Sequence, residues 1–167
     1  MDDKPPFDSS GLAILSFEEC LARLRSAPVG RVAFLSAGEP MVVPVNHGLD
    51  GASVVFRTAI GSKLFAADRG AGVAFEVDGH DAERRVGWSV LVRGVAETVE
   101  APQDIARLET LGVRAWARGV DRPYWVRIRA AEVTGREIAE VEMTSGVQLA
   151  PTRRNAANAS VDATRMH

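Results

Sequence analysis

The stretch Phe56-Arg57-Thr58-Ala59-Ile60-Gly61-Ser62-Lys63-Leu64 ends an apolar run with a hydroxyl, a glycine turn and two cations. A phosphate suits such a bend. Successive backbone N–H groups around Gly61 can converge on an anion, and a helix opened by Ser62 adds the partial positive charge of its N-terminus. Arg57 and Lys63 supply full charges. The same residues also suit a plain turn leading into a capped helix, in which Arg57 pairs with a carboxylate and Lys63 is solvated. The elements around the bend must decide between the two.

Residues Met1 to Gly11 carry two prolines and little periodicity, and read as an arm that orders only by packing on something else. Ser16 and Glu19 form a capping box, and Phe17, Cys20, Leu21 and Leu24 recur at helical spacing until Pro28 ends the helix. Short strands follow over Arg31–Ser36, Met41–Leu49 and Ser53–Thr58, with turns at Gly38–Pro40 and Asp50–Gly51. A short helix is predicted through Leu64, Phe65 and Ala67. Strands are expected over Gly72–Asp78 and Trp88–Val99, with a polar loop from Gly79 to Arg85 between them. A second helix reads from Pro102 to Val113, with Ile105, Leu108 and Leu111 on one face. The last strand runs from Tyr124 to Glu137, where Val126 and Ile128 alternate with Arg127 and Arg129.

Six strands and only short helices predict a mainly β protein, a six-stranded antiparallel split β-barrel of Greek-key type with flanking helices, because closure removes exposed edges. The dinucleotide fold of alternating strands and long helices fits poorly, and no Gly-x-Gly-x-x-Gly element follows the first strand. The domain is expected over residues 12–143. Residues 144–167, rich in Ser, Thr, Asn, Ala and Arg without an apolar face, read as a disordered tail.

With 20 basic and 22 acidic side chains the formal charge is -2, so no general attraction to nucleic acid or anionic lipid is expected. No apolar run approaches the roughly 18 to 20 residues that span a bilayer. The single cysteine, Cys20, reads as a small hydrophobe in the first helix, and the N-terminus has no leader pattern, so a cytoplasmic protein is expected. His47, His80 and His167 are scattered without ligand spacing, which predicts no metal centre. His47 beside Asn46 is a candidate acid or base, and no catalytic pair can be named. No Gly-x-Ser-x-Gly element supports hydrolase chemistry.

The order and spacing of several short stretches carry a resemblance: Gly-Arg-Val-Ala-Phe-Leu (30–35), Met-Val-Val-Pro-Val-Asn-His (41–47), Val-Phe-Arg-Thr-Ala-Ile-Gly-Ser-Lys-Leu (55–64), Val-Ala-Phe-Glu-Val-Asp (73–78), Gly-Trp-Ser-Val-Leu-Val-Arg-Gly (87–94) and Tyr-Trp-Val-Arg-Ile (124–128). Over Phe17 to Ile138 the chain resembles the pyridoxamine 5'-phosphate oxidase-like family of FMN-binding split barrels, in particular its small, often actinobacterial members. The resemblance implies a homodimer with two cofactor sites between the subunits. It places Arg57, Ser62 and Lys63 at the phosphate, Thr58 near the phosphate or ribityl chain, and Val43, Pro44, Val45 and Asn46 beside the ring. It places Trp88, Ser89 and Val90 across the interface, with Tyr124 and Trp125 near ring or substrate. Core or interface packing is the competing expectation for Trp88 and Trp125, and an edge or bulge for Pro44.

The implied function is that of an FMN-dependent oxidoreductase acting on a small molecule. Alternatives on the same scaffold are an F420-dependent reductase, with Arg69, Arg84 and Arg85 as a basic groove for the polyglutamate tail, and a non-catalytic flavin- or haem-binding protein. A purely structural dimerisation module is a third. The chain lacks the Arg-Leu-His-Asp-Arg segment with which the vitamin B6 oxidase grips its substrate phosphate, so pyridoxamine phosphate is not the expected substrate.

Overall fold

The computed structural model describes residues 6–59, 72–117 and 119–138. The bend at Gly61, Ser62 and Lys63, the short helix after it, Arg69 and the C-terminal tail lie outside the described residues.

Seven strands and two helices follow one another as β1 (Ala13–Leu15), α1 (Phe17–Ser26), β2 (Val29–Ser36), β3 (Glu39–Asp50), β4 (Ser53–Thr58), β5 (Gly72–Asp81), β6 (Val86–Val99), α2 (Pro102–Glu109) and β7 (Tyr124–Ile138). The sheet order is β1-β7-β4-β3-β2-β5-β6, and β6 also pairs with β7. All pairings are antiparallel. Six strands therefore close a ring, the split barrel expected from the sequence, and β1 adds a short seventh strand that the sequence reading lacked. Helix α2 ends at Glu109 instead of continuing to Val113. Its C-cap, Thr110, keeps helical angles, and Gly112 follows at φ 66, a conformation that suits glycine and ends the turn.

Closure depends on the length and the break of β7. Its first half pairs with β4 from Val54↔Ile128 to Thr58↔Tyr124, while its second half pairs with β1. Along its other edge β6 runs the full length, with a register shift between Arg93↔Glu132 and Gly94↔Ala130. Ala131 is the extra residue of this bulge. Since side chains alternate with a period of two, one inserted residue swaps the faces: Val126 and Ile128 point into the barrel before it, and Val133 packs on the core after it.

The barrel is filled by Val32, Phe34, Val54, Phe56, Val73, Phe75, Val77, Val90, Val92, Val126 and Ile128, with Cys20, Leu21 and Leu24 of α1 laid on them. Fully burying one such side chain contributes about 1.5–3 kcal/mol. Helix α1 forms where the sequence put it. Ser16 Oγ accepts from the Glu19 N–H at 3.3 Å, and Glu19 Oε2 accepts from the Ser16 N–H at 2.6 Å. Gly135 lets the helix approach β7, because a Cβ there would lie 2.6 Å from Cys20 Sγ. A smaller cluster of Val55, Val99, Leu108 and Trp125 seats α2 on the outside of the barrel, with Ile105 and Val113 packed against it. Asp50, at the β3–β4 turn, ties this layer down by accepting from Arg107 of α2 and from Arg127 of β7.

Candidate functional site

Strand β4 alternates Val54 and Phe56 into the barrel with Val55 and Arg57 on its outer face, beneath α2 and the segment that leads from it to β7. Arg57 is half-buried there. Its Nε donates to the Arg122 carbonyl at 2.8 Å, its Nη1 lies 3.6 Å from Glu109 Oε1, and its guanidinium stands 5.5 Å from the centre of the Trp125 ring. The competing expectation of a carboxylate partner for Arg57 is thus met loosely, by a half-exposed Glu109.

Around Arg57 the structure opens a cavity of about 390 Å3 lined also by Arg114, Ala115, Ala117, Asp121 and Arg122. A narrower one of about 90 Å3 continues from it along Pro44, Val45 and Asn46. Four residues singled out in the sequence, Pro44, Val45, Asn46 and Arg57, therefore share one groove. Three arginines, Arg57, Arg114 and Arg122, line the wider part, where Asp121 is the one carboxylate among the lining residues, and the Arg122 Nη1 donates to the Ala117 and Val120 carbonyls at 3.1 Å. The cations Arg114 and Arg122 were not foreseen. They sit on the segment between α2 and β7, Arg114 in Val-Arg-Ala-Trp (113–116) and Arg122 in Asp-Arg-Pro (121–123), where basic residues recur without strand or helix periodicity, a signal legible only as composition.

Asn46 holds this groove together. Its Nδ2 donates to the Pro28 carbonyl at 3.0 Å and its Oδ1 accepts from the Trp116 N–H at 2.8 Å, joining the end of α1, β3 and the loop after α2. Val43 and Val45 are half-buried and pack on the barrel core. Thr58 closes β4 opposite Tyr124, which is exposed.

Of the other predicted residues Trp125 lies against Arg57, and Trp88, Ser89 and Val90 lie elsewhere. Trp88 and Ser89 line a separate, mainly apolar cavity of about 340 Å3 with Leu12, Gly79, Arg136 and Ile138. The Arg23 guanidinium stands 5.0 Å from the Trp88 ring centre and reaches Glu137 at 2.5 Å. Val90 and Trp125 are buried, at 0% and 1% exposure. Trp125, on the outer face of β7 opposite to Val126, is buried because α2 covers it, which meets the competing expectation of packing while its ring stays beside Arg57. Its indole N–H donates to Glu109 at 3.0 Å. Arg84, proposed for a basic groove, pairs with Asp81.

His47 is buried at the end of α1. Its Nε2 faces the Leu24 carbonyl at 2.9 Å, so that nitrogen carries the proton, while Nδ1 is enclosed without a partner. The ring stands edge-on to Phe75, and burial pushes its pKa below the usual imidazole value, partly offset by the Leu24 bond. A neutral, tied ring of this kind fixes a wall of the fold. Burial likewise raises the Cys20 thiol, which suits a packing role. Among the described residues no group of three His, Cys, Asp or Glu side chains could hold a metal, and no helix is long and apolar enough to cross a membrane.

Comparison with known proteins agrees with this architecture. A Corynebacterium glutamicum protein structure is 37% identical with a TM-score of 0.67, covering 76% of this chain and 98% of that one. The FAD binding protein from Mycobacterium smegmatis is 36% identical with a TM-score of 0.60, over 74% and 96% of the two chains. An uncharacterised Mycobacterium tuberculosis protein, Rv0080, is 39% identical over 58% of this chain and 67% of its own. Residues 16–137, from the capping serine of α1 almost to the end of β7, match the model of the pyridoxamine 5'-phosphate oxidase family, and the chain belongs to that family.

Proposed function

We propose that the protein is a homodimeric flavin-dependent oxidoreductase, with FMN or FAD bound between the subunits and its phosphate at the Arg57 groove. The observation that carries this reading is the convergence of Arg57, Arg114 and Arg122 on one cavity that continues along Pro44, Val45 and Asn46. Guanidinium groups grip phosphate oxygens in pairs, and a strand edge beside them offers backbone N–H and C=O groups to the polar rim of a planar ring. The similarity to an FAD binding protein supports the same ligand class. Ser62 and Lys63, outside the described residues, would add to the phosphate end.

A bound flavin supplies the redox chemistry, reversible acceptance of a hydride or of single electrons. The chain's own part is to hold the phosphate, fix the ring and exclude water. No side chain need act as an acid or base, which agrees with His47 being neutral and engaged. The Trp88 cavity lies apart from Arg57 on the single chain, and in the proposed dimer it would close the groove of the partner.

Titration of the purified protein with riboflavin, FMN, FAD and F420 tests the assignment. FMN or FAD is expected to bind at least tenfold more tightly than riboflavin, and Arg57→Ala to weaken nucleotide binding by about 1.5–3 kcal/mol, the range for hydrogen bonds to charged groups. Equal binding of riboflavin and FMN would remove the phosphate role, and preference for F420 would transfer the site to the deazaflavin. Reduction of the bound flavin by a nicotinamide, followed by reoxidation with a quinone or nitro compound, separates an enzyme from a storage protein.

A further inference from the structure

Next to the Arg57 groove, and sharing Asn46 and Val113 with it, lies a second cavity of about 330 Å3 between the end of α1 and the loop after α2. Its walls contain Arg25, Arg114 and Trp116, and no carboxylate. The charge balance is unusual for this surface. Among the described arginines, the side chains of Arg25, Arg85 and Arg114 alone have neither an ion pair nor a hydrogen bond, while those on the outer face of β6 and β7, such as Arg93 and Arg129, are matched to Glu132 and Glu97. Two of the three unmatched cations thus face one cavity. Trp116 is 66% exposed, yet its backbone is pinned by Asn46, so its ring is presented from an anchored position.

We propose that this cavity is the substrate pocket, and that the substrate is a flat acid: a conjugated ring bearing a carboxylate or phosphate, its oxyanion held by Arg25 and Arg114 and its ring laid against Trp116. Leu24, Leu49 and Val113 supply the apolar wall that a ring needs. A guanidinium pair binds either oxyanion, and an indole offers a face for stacking. The shared wall at Asn46 and Val113 brings a ring in this pocket beside whatever occupies the Arg57 groove. Its role as substrate pocket rests on the flavin reading; its ability to bind a flat acid does not.

Isothermal titration of the full chain, as purified and after saturation with FMN or FAD, with 2-naphthoate, 2-naphthyl phosphate and the neutral 2-naphthamide tests this. At least one acid is expected to bind tenfold or more tightly than the amide, with naphthoate against naphthyl phosphate deciding the oxyanion. Arg25→Gln should abolish most of that preference without changing flavin affinity, Arg114→Gln should weaken both ligands, and Arg85→Gln should change neither. These side chains are exposed and unpaired, so the variants should fold. Equal binding of acid and amide, or an unchanged preference in Arg25→Gln, overturns the proposal. Discrimination of acids by a protein that takes no flavin would sustain the pocket and remove the function proposed above.

Discussion

Arg57 has two tasks that a single substitution will expose together. Its Nε bond to the Arg122 carbonyl and its stacking over Trp125 hold the loop that carries Arg114 and Arg122. Arg57→Ala is therefore expected to lower stability by about 1 kcal/mol, the net worth of one such bond, in urea unfolding, beyond its effect on flavin affinity. His47 gives a pH signature. The unfolded chain takes up its proton near 6.5 and the folded chain only at lower pH, because burial disfavours the charged ring. Stability from this group is complete above pH 6.5 and is lost as pH falls from there toward the lowered folded value, with a slope of at most about 1.4 kcal/mol per pH unit. His47→Gln should flatten that part of a stability–pH profile; an unchanged slope would mean that other groups produce it. At this scale the sequence put forward Arg57 and the 43–46 run, of which Arg57, Pro44, Val45 and Asn46 share one groove and Val43 packs on the core. Arg25 and Arg114 stayed hidden because they lie far apart in sequence, with no periodic pattern to relate them.

Among the elements, β7 carries the greatest constraint, since it must meet β4 and β1 on one edge and β6 on the other. At its bulge a Cβ on Gly94 would lie 2.0 Å from the Arg129 carbonyl oxygen, whereas one on Gly72, on β5 at the other edge of β6, would find nothing nearer than 3.9 Å. Gly94→Ala is expected to cost about 3 kcal/mol or more, or to prevent folding, while Gly72→Ala should cost less than about 1 kcal/mol; thermal unfolding followed by circular dichroism compares them. Much of this architecture was readable in advance. The bounds of β4, the Ser16–Glu19 cap and the Pro102 start of α2 follow from local chemistry, and β6 and β7 were placed within two residues. The bulge at Ala131 was not readable, because the alternation of Val126, Ile128, Arg127 and Arg129 stops short of it and only the partner strand defines the shift. Strand β1 was missed for a related reason: three residues gain strand character from the edge of β7, not from their own pattern.

On the scale of the molecule, the two groups of residues that the family resemblance assigned to one cofactor lie in separate cavities of a single chain, the Arg57 groove and the Trp88 cavity. A two-fold partner is the economical way to bring them together, and the barrel offers a surface for it. Leu35, Val42, Leu91 and Val95 lie 54%, 64%, 36% and 43% exposed on β2, β3 and β6, where an apolar hollow of about 420 Å3 runs between Phe34, Leu35, Met41, Val42 and Gly94. Contiguous exposed apolar area of this kind marks an interaction surface. Light scattering on the wild type is expected to give twice the 17.9 kDa chain mass. The double substitution Leu35→Asp/Val42→Asp, which places charges on that face without touching either cavity's polar residues, should give the single-chain mass with an unchanged far-ultraviolet spectrum. It should also lose flavin affinity by at least tenfold, since each groove would be left with half its walls. A single-chain variant that still bound flavin at full strength would place the whole site within one barrel, and the Trp88 cavity would then need another occupant.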